Sequence, residues 1–132
     1  MSMQESYLQQ ECVAWFRFQY PKYAQVLIHV PNEGKRNTKM VHTKYGMKVV
    51  CSSGARLKAE GLVAGVADLL LLAPSGEYGS LAIEMKTQTG RLSDSQKEWR
   101  QEYEKAGNKY VVCRSFEQFM CEVVDYMKNI VK

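Results

Sequence analysis

The chain lacks any long apolar run: nothing in it approaches the roughly 18 consecutive apolar residues of a membrane-spanning helix. No charged leader followed by an apolar core opens it either, so a non-membrane, cytoplasmic protein is expected. Four cysteines, Cys12, Cys51, Cys113 and Cys121, are scattered with no C-x-x-C pair. With only His29 and His42 beside them they offer no zinc spacing, and reduced, mostly buried thiols are the expectation. Internal repeats, low-complexity tracts and linkers are also missing, so residues 1–132 read as one domain, large enough to bury a real core. The last absence is of negative charge. Gly34 to Ala59 holds no Asp or Glu, yet it carries Lys35, Arg36, Lys39, Lys44, Lys48, Arg56 and Lys58. Those cations exceed the net +4 of the whole protein, so the remainder is net negative. Such a stretch is either a solvated loop or a grip on phosphates, since one-signed clustering is the footprint of nucleic-acid binding.

The stretch that is most informative runs from Gly65 to Lys86. Two apolar runs, Asp68–Leu72 and Leu81–Lys86, flank Ala73-Pro74-Ser75-Gly76-Glu77-Tyr78-Gly79, which predicts a β-hairpin. Glu84 and Lys86 are two residues apart and share one face of their strand, with Ser80 and Ala82, while Leu81, Ile83 and Met85 take the other. A loop centred on Gly76 sets Asp68 opposite Glu84. Opposed like charges destabilise a sheet, and a desolvated carboxylate costs several kcal/mol unless paired or bound to metal. A hard divalent cation resolves the conflict, because Mg²⁺ is commonly held by one or two carboxylates plus waters and substrate phosphates. The plainer alternative is an exposed Glu–Lys strand end with Asp68 bonded to backbone groups.

Around this hairpin the chain predicts helices and strands in a mixed order. Residues 5–19 carry Leu8, Cys12, Trp15 and Phe16 at helical spacing, with Pro21 as the stop. Glu11 lies on the rim of that apolar face, either reaching water or aimed into a site. Gln25–Val30 predicts a short strand in which His29 is half-buried rather than a ligand, followed by a turn at Pro31-Asn32-Glu33-Gly34. Ser52–Glu60 suggests a short helix. Ser93-Asp94-Ser95-Gln96 is a capping box for a helix running to about Ala106, and Gln96 falls on the stripe of Trp99 and Tyr103. Lys109–Cys113 predicts a buried strand, and Ser115 caps a last helix with Phe116, Phe119, Met120, Val123, Val124, Met127 and Val131 available to the core. The order α-β-(α)-β-β-α-β-α gives an α/β fold, a mixed sheet flanked by helices.

Gly65-Val66-Ala67-Asp68, Ile83-Glu84-Met85-Lys86 and Ser93-x-x-Gln96 resemble the PD-(D/E)XK nuclease pattern, and more narrowly its VRR-NUC branch. Pro31-Asn32-Glu33-Gly34-Lys35-Arg36 and Glu11 on the first helix add to that likeness, which spans roughly residues 8–115. Ala67 stands where the family name has Pro, a residue that shapes backbone and ligates nothing. The resemblance implies a restriction-endonuclease-like core in which Asp68 and Glu84, with the Met85 carbonyl, hold Mg²⁺ or Mn²⁺. It implies that Lys86 orients and polarises the attacking water, that Gln96 reaches the same site, and that Glu11 completes it directly or through water. Phosphodiester hydrolysis follows, with water attacking phosphorus in line and the metal neutralising charge.

The expected activity is therefore a metal-dependent deoxyribonuclease of a bacterial or phage-infected cell, acting on branched or otherwise structured DNA in replication, repair or recombination. Lys35, Arg36, Lys39, Lys44, Lys48, Arg56 and Lys58 would hold the backbone without reading sequence. Two rivals are a sequence-specific restriction-type endonuclease, for which 132 residues leave little room, and a catalytically silent DNA-binding module of the same fold. A homodimer is plausible, since cutting two strands together needs two sites.

Overall fold

Ser2 opens helix α1, Met3–Gln19, its hydroxyl accepting from the Glu5 N–H at 3.1 Å. That bond satisfies one of the amides a helix start leaves without a partner. Gln9, Cys12 and Phe16 recur at helical spacing on its buried side. Pro21 then begins a 3-10 turn, Pro21–Val26, because its fixed φ suits a first helical position. This turn absorbs Gln25 and Val26 from the expected strand, so β1 is only Leu27–His29. The computed structural model describes residues 1–31, 38–51 and 54–130, and within 38–51 it describes side chains only at 44–46.

Contacts divide the chain into two units, one of Met1–Asn32 with Gly65–Lys132, the other of Glu33–Ala64. The first unit contains β4 (Leu69–Leu71), β5 (Leu81–Met85), helix α3 (Asp94–Lys105), β6 (Lys109–Cys113) and helix α4 (Phe116–Met127). With β1 these strands form one sheet in the order β1-β4-β5-β6. β1 and β4 pair antiparallel, as do β4 and β5, while β5 and β6 run parallel across the α3 connection. The sheet is thus mixed, as the element order predicted. The hairpin register is the expected one, Leu69 opposite Ile83 and Leu71 opposite Leu81. Leu72 falls past the end of β4 and is 50% exposed.

Alternation along β5 divides the core. Leu81, Ile83 and Met85 point toward α1 and α4, where they pack with Cys12, Phe16, Phe119 and Val123. Phe16 and Phe119 are fully buried, and truncating either to Ala would cost about 3–5 kcal/mol. Ala82 on the opposite side meets Ala67 and Tyr110, with Leu92, Trp99 and Tyr103 packed against them. Of the residues expected in the last helix, Phe119 and Val123 are buried, Val124 is 38% exposed and Val131 lies outside the described residues. Tyr126 is buried there too, its hydroxyl donating to the Ala73 carbonyl at 2.5 Å.

The second unit holds a hairpin that the sequence reading did not anticipate. β2 (Thr38–Thr43) pairs antiparallel with β3 (Gly46–Cys51), from Thr38 opposite Cys51 to Thr43 opposite Gly46. Gly46 has φ +115°, which closes so short a turn at little cost. Helix α2, Gly54–Ala59, occupies most of the expected helix, whose first residue Ser52 is outside the described residues. No described helix is long and apolar enough to cross a membrane.

Candidate active site

Asp68 sits one residue before β4, so the strand register brings it to the level of Glu84 in β5. Leu69, Ile83 and Met85 face the main core, which leaves both carboxylates on the α3 side of the sheet. Both are almost wholly buried, Asp68 at 4% and Glu84 at 2% exposure. Asp68 Oδ2 accepts from the Met85 N–H at 2.8 Å, a bond that favours its charged form. Its backbone is held as well: the Asp68 carbonyl accepts from the Val30 N–H (2.9 Å) and from His29 Nδ1 (2.8 Å). A carbonyl can only accept, so this ring nitrogen carries the hydrogen. His29 is exposed rather than half-buried, and its role here is to fix backbone.

Glu84 is bound on one oxygen only. Oε1 accepts from Gln96 Nε2 at 2.9 Å and lies 3.9 Å from the Lys86 ammonium. No donor among the described residues faces Oε2. Gln96 is oriented by its second duty, because its Oε1 accepts from the Ser93 N–H (2.8 Å) in the capping box of α3. That fixes the amide so that its NH₂ must point at Glu84. Gly65 brings the other side of the site close to this helix start. At φ +83° it passes so near Ser95 that a Cβ would stand 2.2 Å from the Ser95 carbonyl oxygen.

Electrostatics follow from this burial. Desolvation first, and the Asp68 charge second, push the Glu84 carboxyl up to about 8, against the pull of Lys86. Asp68 is raised as well, again mainly by burial, with the Met85 N–H opposing the shift. Two neighbouring carboxyls that resist ionising together leave room for one added positive charge. A proton shared with Asp68 would answer Oε2 at low pH, and a hard cation would do so at higher pH. The donor set fits such a cation, being oxygen only. Among the described residues no three or more His, Cys, Asp or Glu gather in ligating geometry, so water and substrate oxygens would complete the shell. The thiols of Cys12 and Cys113 are pushed up to about 12 by burial, which removes them as nucleophiles at neutral pH.

The structure does not bring Glu11 to this cluster. It is exposed on α1, and its charge acts on Cys12. Glu5 instead is the α1 carboxylate that acts on Asp68, and it is half-buried. Glu5, Gln9, Cys12 and Phe16 lie at i, i+4, i+7 and i+11, one stripe of the helix, whereas Glu11 is turned about 200° from Gln9. Gln9 is buried, its amide nitrogen 3.0 Å from His29 Nδ1 and its Oε1 without a described partner. Glu5 and Gln9 are thus contributors the sequence reading passed over, the signal being available in the spacing of Glu5 with the buried residues, while His29, read as a strand residue and not a ligand, holds the Asp68 backbone. A cavity of about 170 Å³ beside the cluster is lined by Glu5, Leu8, Lys86, Thr87 and Arg114, among others.

A family model for the VRR-NUC domain matches residues 3–117. The chain belongs to the VRR-NUC family. A solved structure described as a VRR_NUC domain protein superposes with a TM-score of 0.75 at 22% identity, over 98% of this chain and 92% of that one. At that identity the likeness establishes the shared restriction-endonuclease-like fold. No curated protein matches at a significant level. VRR-NUC proteins are nucleases, so the family assigns a nuclease-type function with DNA as the implied substrate, and nucleases of this type typically depend on a metal ion.

The VRR-NUC candidates for DNA contact are placed unevenly. Lys44 is exposed at the tip of the β2–β3 hairpin, its ammonium 5.1 Å from the Tyr45 ring centre. Arg56 and Lys58 are exposed on α2, where Arg56 makes a 3.9 Å pair with Glu60 that exposure leaves weak. Lys39 and Lys48 belong to β2 and β3, at positions whose side chains are not described. Lys35 and Arg36 lie outside the described residues.

Proposed function

We propose that this VRR-NUC protein is a Mg²⁺- or Mn²⁺-dependent deoxyribonuclease selective for branched DNA such as junctions and flaps. The observation that carries the reading is the buried Asp68–Glu84 pair, whose Oε2 has no described donor and whose other oxygen is held by Gln96 and Lys86. A pair so placed weakens the fold unless something positive joins it, which is the expected cost of a binding site.

Asp68, Glu84 and the Met85 carbonyl would hold the ion, with Glu5 acting from α1 through water, in the place first assigned to Glu11. The ion would supply charge neutralisation at the phosphate and at the leaving oxygen. Lys86 orients water and donates hydrogen bonds to the non-bridging phosphate oxygens. Its ammonium lies 3.9 Å from Glu84 Oε1. Gln96 keeps Glu84 Oε1 occupied and the carboxylate plane fixed. The Met85 N–H favours the ionised form of Asp68 against the effect of burial. Lys35, Arg36, Lys39, Lys44, Lys48, Arg56 and Lys58 would bind backbone phosphates, which suits recognition of DNA shape over sequence. The whole chain would then act as one nuclease domain, with two copies meeting where both strands are cut.

The test compares a four-way junction, a flap, a linear duplex and a single strand, each with Mg²⁺, Mn²⁺ or EDTA, for wild type and Asp68→Asn. Metal-dependent cutting of the branched substrates by wild type alone is expected. Equal cutting of linear duplex removes the structure selectivity, and binding without cutting in both proteins favours the silent-module alternative.

A further inference from the structure

The six-residue path from Thr87 to Leu92 connects Lys86, which follows the Glu84-bearing strand β5, to the helix start bearing Ser93 and Gln96. Both ends of it therefore set positions in the site. The path begins with a turn closed by the Gly90 N–H and the Thr87 carbonyl at 3.3 Å. Gly90 lies against Lys86: a Cβ there would be 3.4 Å from Lys86 Cδ and 3.1 Å from Thr87 Oγ1. A short polar turn of this composition has little apolar surface to hold it down. Three of its carbonyls instead converge on one nitrogen. Arg114 Nη1 donates to Thr87 at 2.7 Å and to Gly90 at 2.5 Å, with Gln88 at 3.5 Å.

Arg114 is itself well anchored. Its N–H donates to Gln118 Oε1 at 2.7 Å, in the first turn of α4, and the preceding Cys113 carbonyl accepts from the Lys86 N–H at 3.0 Å. Hydrogen bonds from a charged donor are about twice as strong as neutral ones, and a guanidinium presents its donors in a fixed fork. Arg114 also lines the cavity that Lys86 and Glu5 share. A cation there could be read as a phosphate contact. Against that, Nη1 is already committed to carbonyls, and the Glu5 carboxylate in the same cavity disfavours an anion.

Resting on the nuclease reading, we propose that Arg114 is a positioning residue: it locks the Thr87–Gly90 turn and so fixes Lys86 and the helix start that presents Gln96. It touches neither the ion nor the scissile phosphate.

The experiment measures cleavage of a four-way junction by wild type, Arg114→Ala and Arg114→Lys, well below the melting temperature of each, together with amide hydrogen exchange over residues 87–92. Arg114→Ala is expected to lose about 10- to 100-fold in kcat with KM within about twofold, since a misplacement near 1 Å costs on that order. Arg114→Lys should stay low, because its ammonium sits one bond nearer the backbone than Nη1 and falls short of the point where the three carbonyls converge. Added guanidinium ion should restore kcat in Arg114→Ala and leave wild type unchanged. Exchange over 87–92 should quicken in both variants. An unchanged kcat in Arg114→Ala overturns the proposal. So does a raised KM with a flatter salt dependence and normal kcat, which would make Arg114 a phosphate contact. If wild type cuts no substrate, the nuclease reading fails by itself, and unchanged exchange in Arg114→Ala would then overturn the turn-locking role independently.

Discussion

Metal-free protein should lose stability as pH rises through neutrality, and Glu84 sets both the sign and the size. Its carboxyl titrates near 4.5 when exposed and is pushed up to about 8 in the fold, chiefly by burial and then by Asp68. A carboxyl whose folded pKa is raised contributes stability that is fully present below the unfolded pKa. That stability is lost as pH climbs from about 4.5 to about 8. One pKa unit is worth about 1.4 kcal/mol, so the loss between pH 5 and pH 9 is roughly 3–5 kcal/mol. At a few degrees per kcal/mol for a domain of this size, the melting temperature should fall by roughly 10–20 °C. The direction opposes the general electrostatic trend. The protein carries +4 at pH 7 and is neutral near pH 8.9, so relief of self-repulsion alone would stabilise it over that interval. The assay is thermal melting in EDTA from pH 5 to pH 9, for wild type and Glu84→Gln. The glutamine keeps an acceptor for Gln96 and removes the charge, so its profile should be flat or rising and should cross above wild type near pH 7. Mg²⁺ should restore wild type more at pH 8 than at pH 5, with proton release on binding, and a metal at about 100 times its Kd adds roughly 2.7 kcal/mol. A wild-type profile that rises with pH alongside Glu84→Gln would refute the buried-pair argument.

Gly65→Ala should destabilise by about 3 kcal/mol or more, since both a φ of +83° and a 2.2 Å approach to the Ser95 carbonyl oppose a side chain; urea unfolding measures it. Glu5→Gln should lower cleavage by about 10-fold or more while Glu11→Gln changes it less than about twofold, because only Glu5 shares the buried stripe and the field of Asp68. Equal effects in the two variants would return Glu11 to the site. DNA affinity should fall steeply with salt, and Lys44→Ala should reduce the log–log slope by about one, as expected for one lost phosphate contact; an unchanged slope removes Lys44 from the interface.

How much could be read in advance depended on whether the determining contacts were local. The Asp68–Glu84 opposition was legible because a tight loop at Gly76 and a two-residue side-chain period fix register without reference to anything distant. Gln96 was legible for a similar reason, its capping box being written within four residues. Glu11 went astray because the apolar stripe of α1 is broad, and from sequence alone either edge of it could face the sheet. Only docking against β5 decides that Gln9, Cys12 and Phe16 form its centre, which carries Glu5 inward and Glu11 outward. The β2–β3 hairpin escaped notice because its charged residues mask the alternation by which a strand is usually recognised. His29 was seen as a strand residue, but its bond to the Asp68 carbonyl spans 39 positions and has no local trace.

The same bonds therefore serve folding and site geometry together. The Gln96 amide satisfies the Ser93 N–H on one side and Glu84 on the other, so the start of α3 and the carboxylate cannot shift separately. The Met85 N–H faces Asp68 rather than a neighbouring strand, so the backbone of β5 stabilises the very charge that its own Glu84 repels. Gly65 lets the approach to Asp68 run against Ser95, which places both carboxylates under the same helix start. Each of these contacts holds two acids together at the cost of stability in the metal-free protein, and none of them relieves Glu84 Oε2. A fold that needed only to be stable would replace Glu84 with an aliphatic residue, as Ala82 and Ile83 beside it already illustrate. Persistence of a buried acid pair with one oxygen left open is therefore an argument for a bound cation that stands apart from the family match, and the pH profile of Glu84→Gln tests it without any nuclease assay.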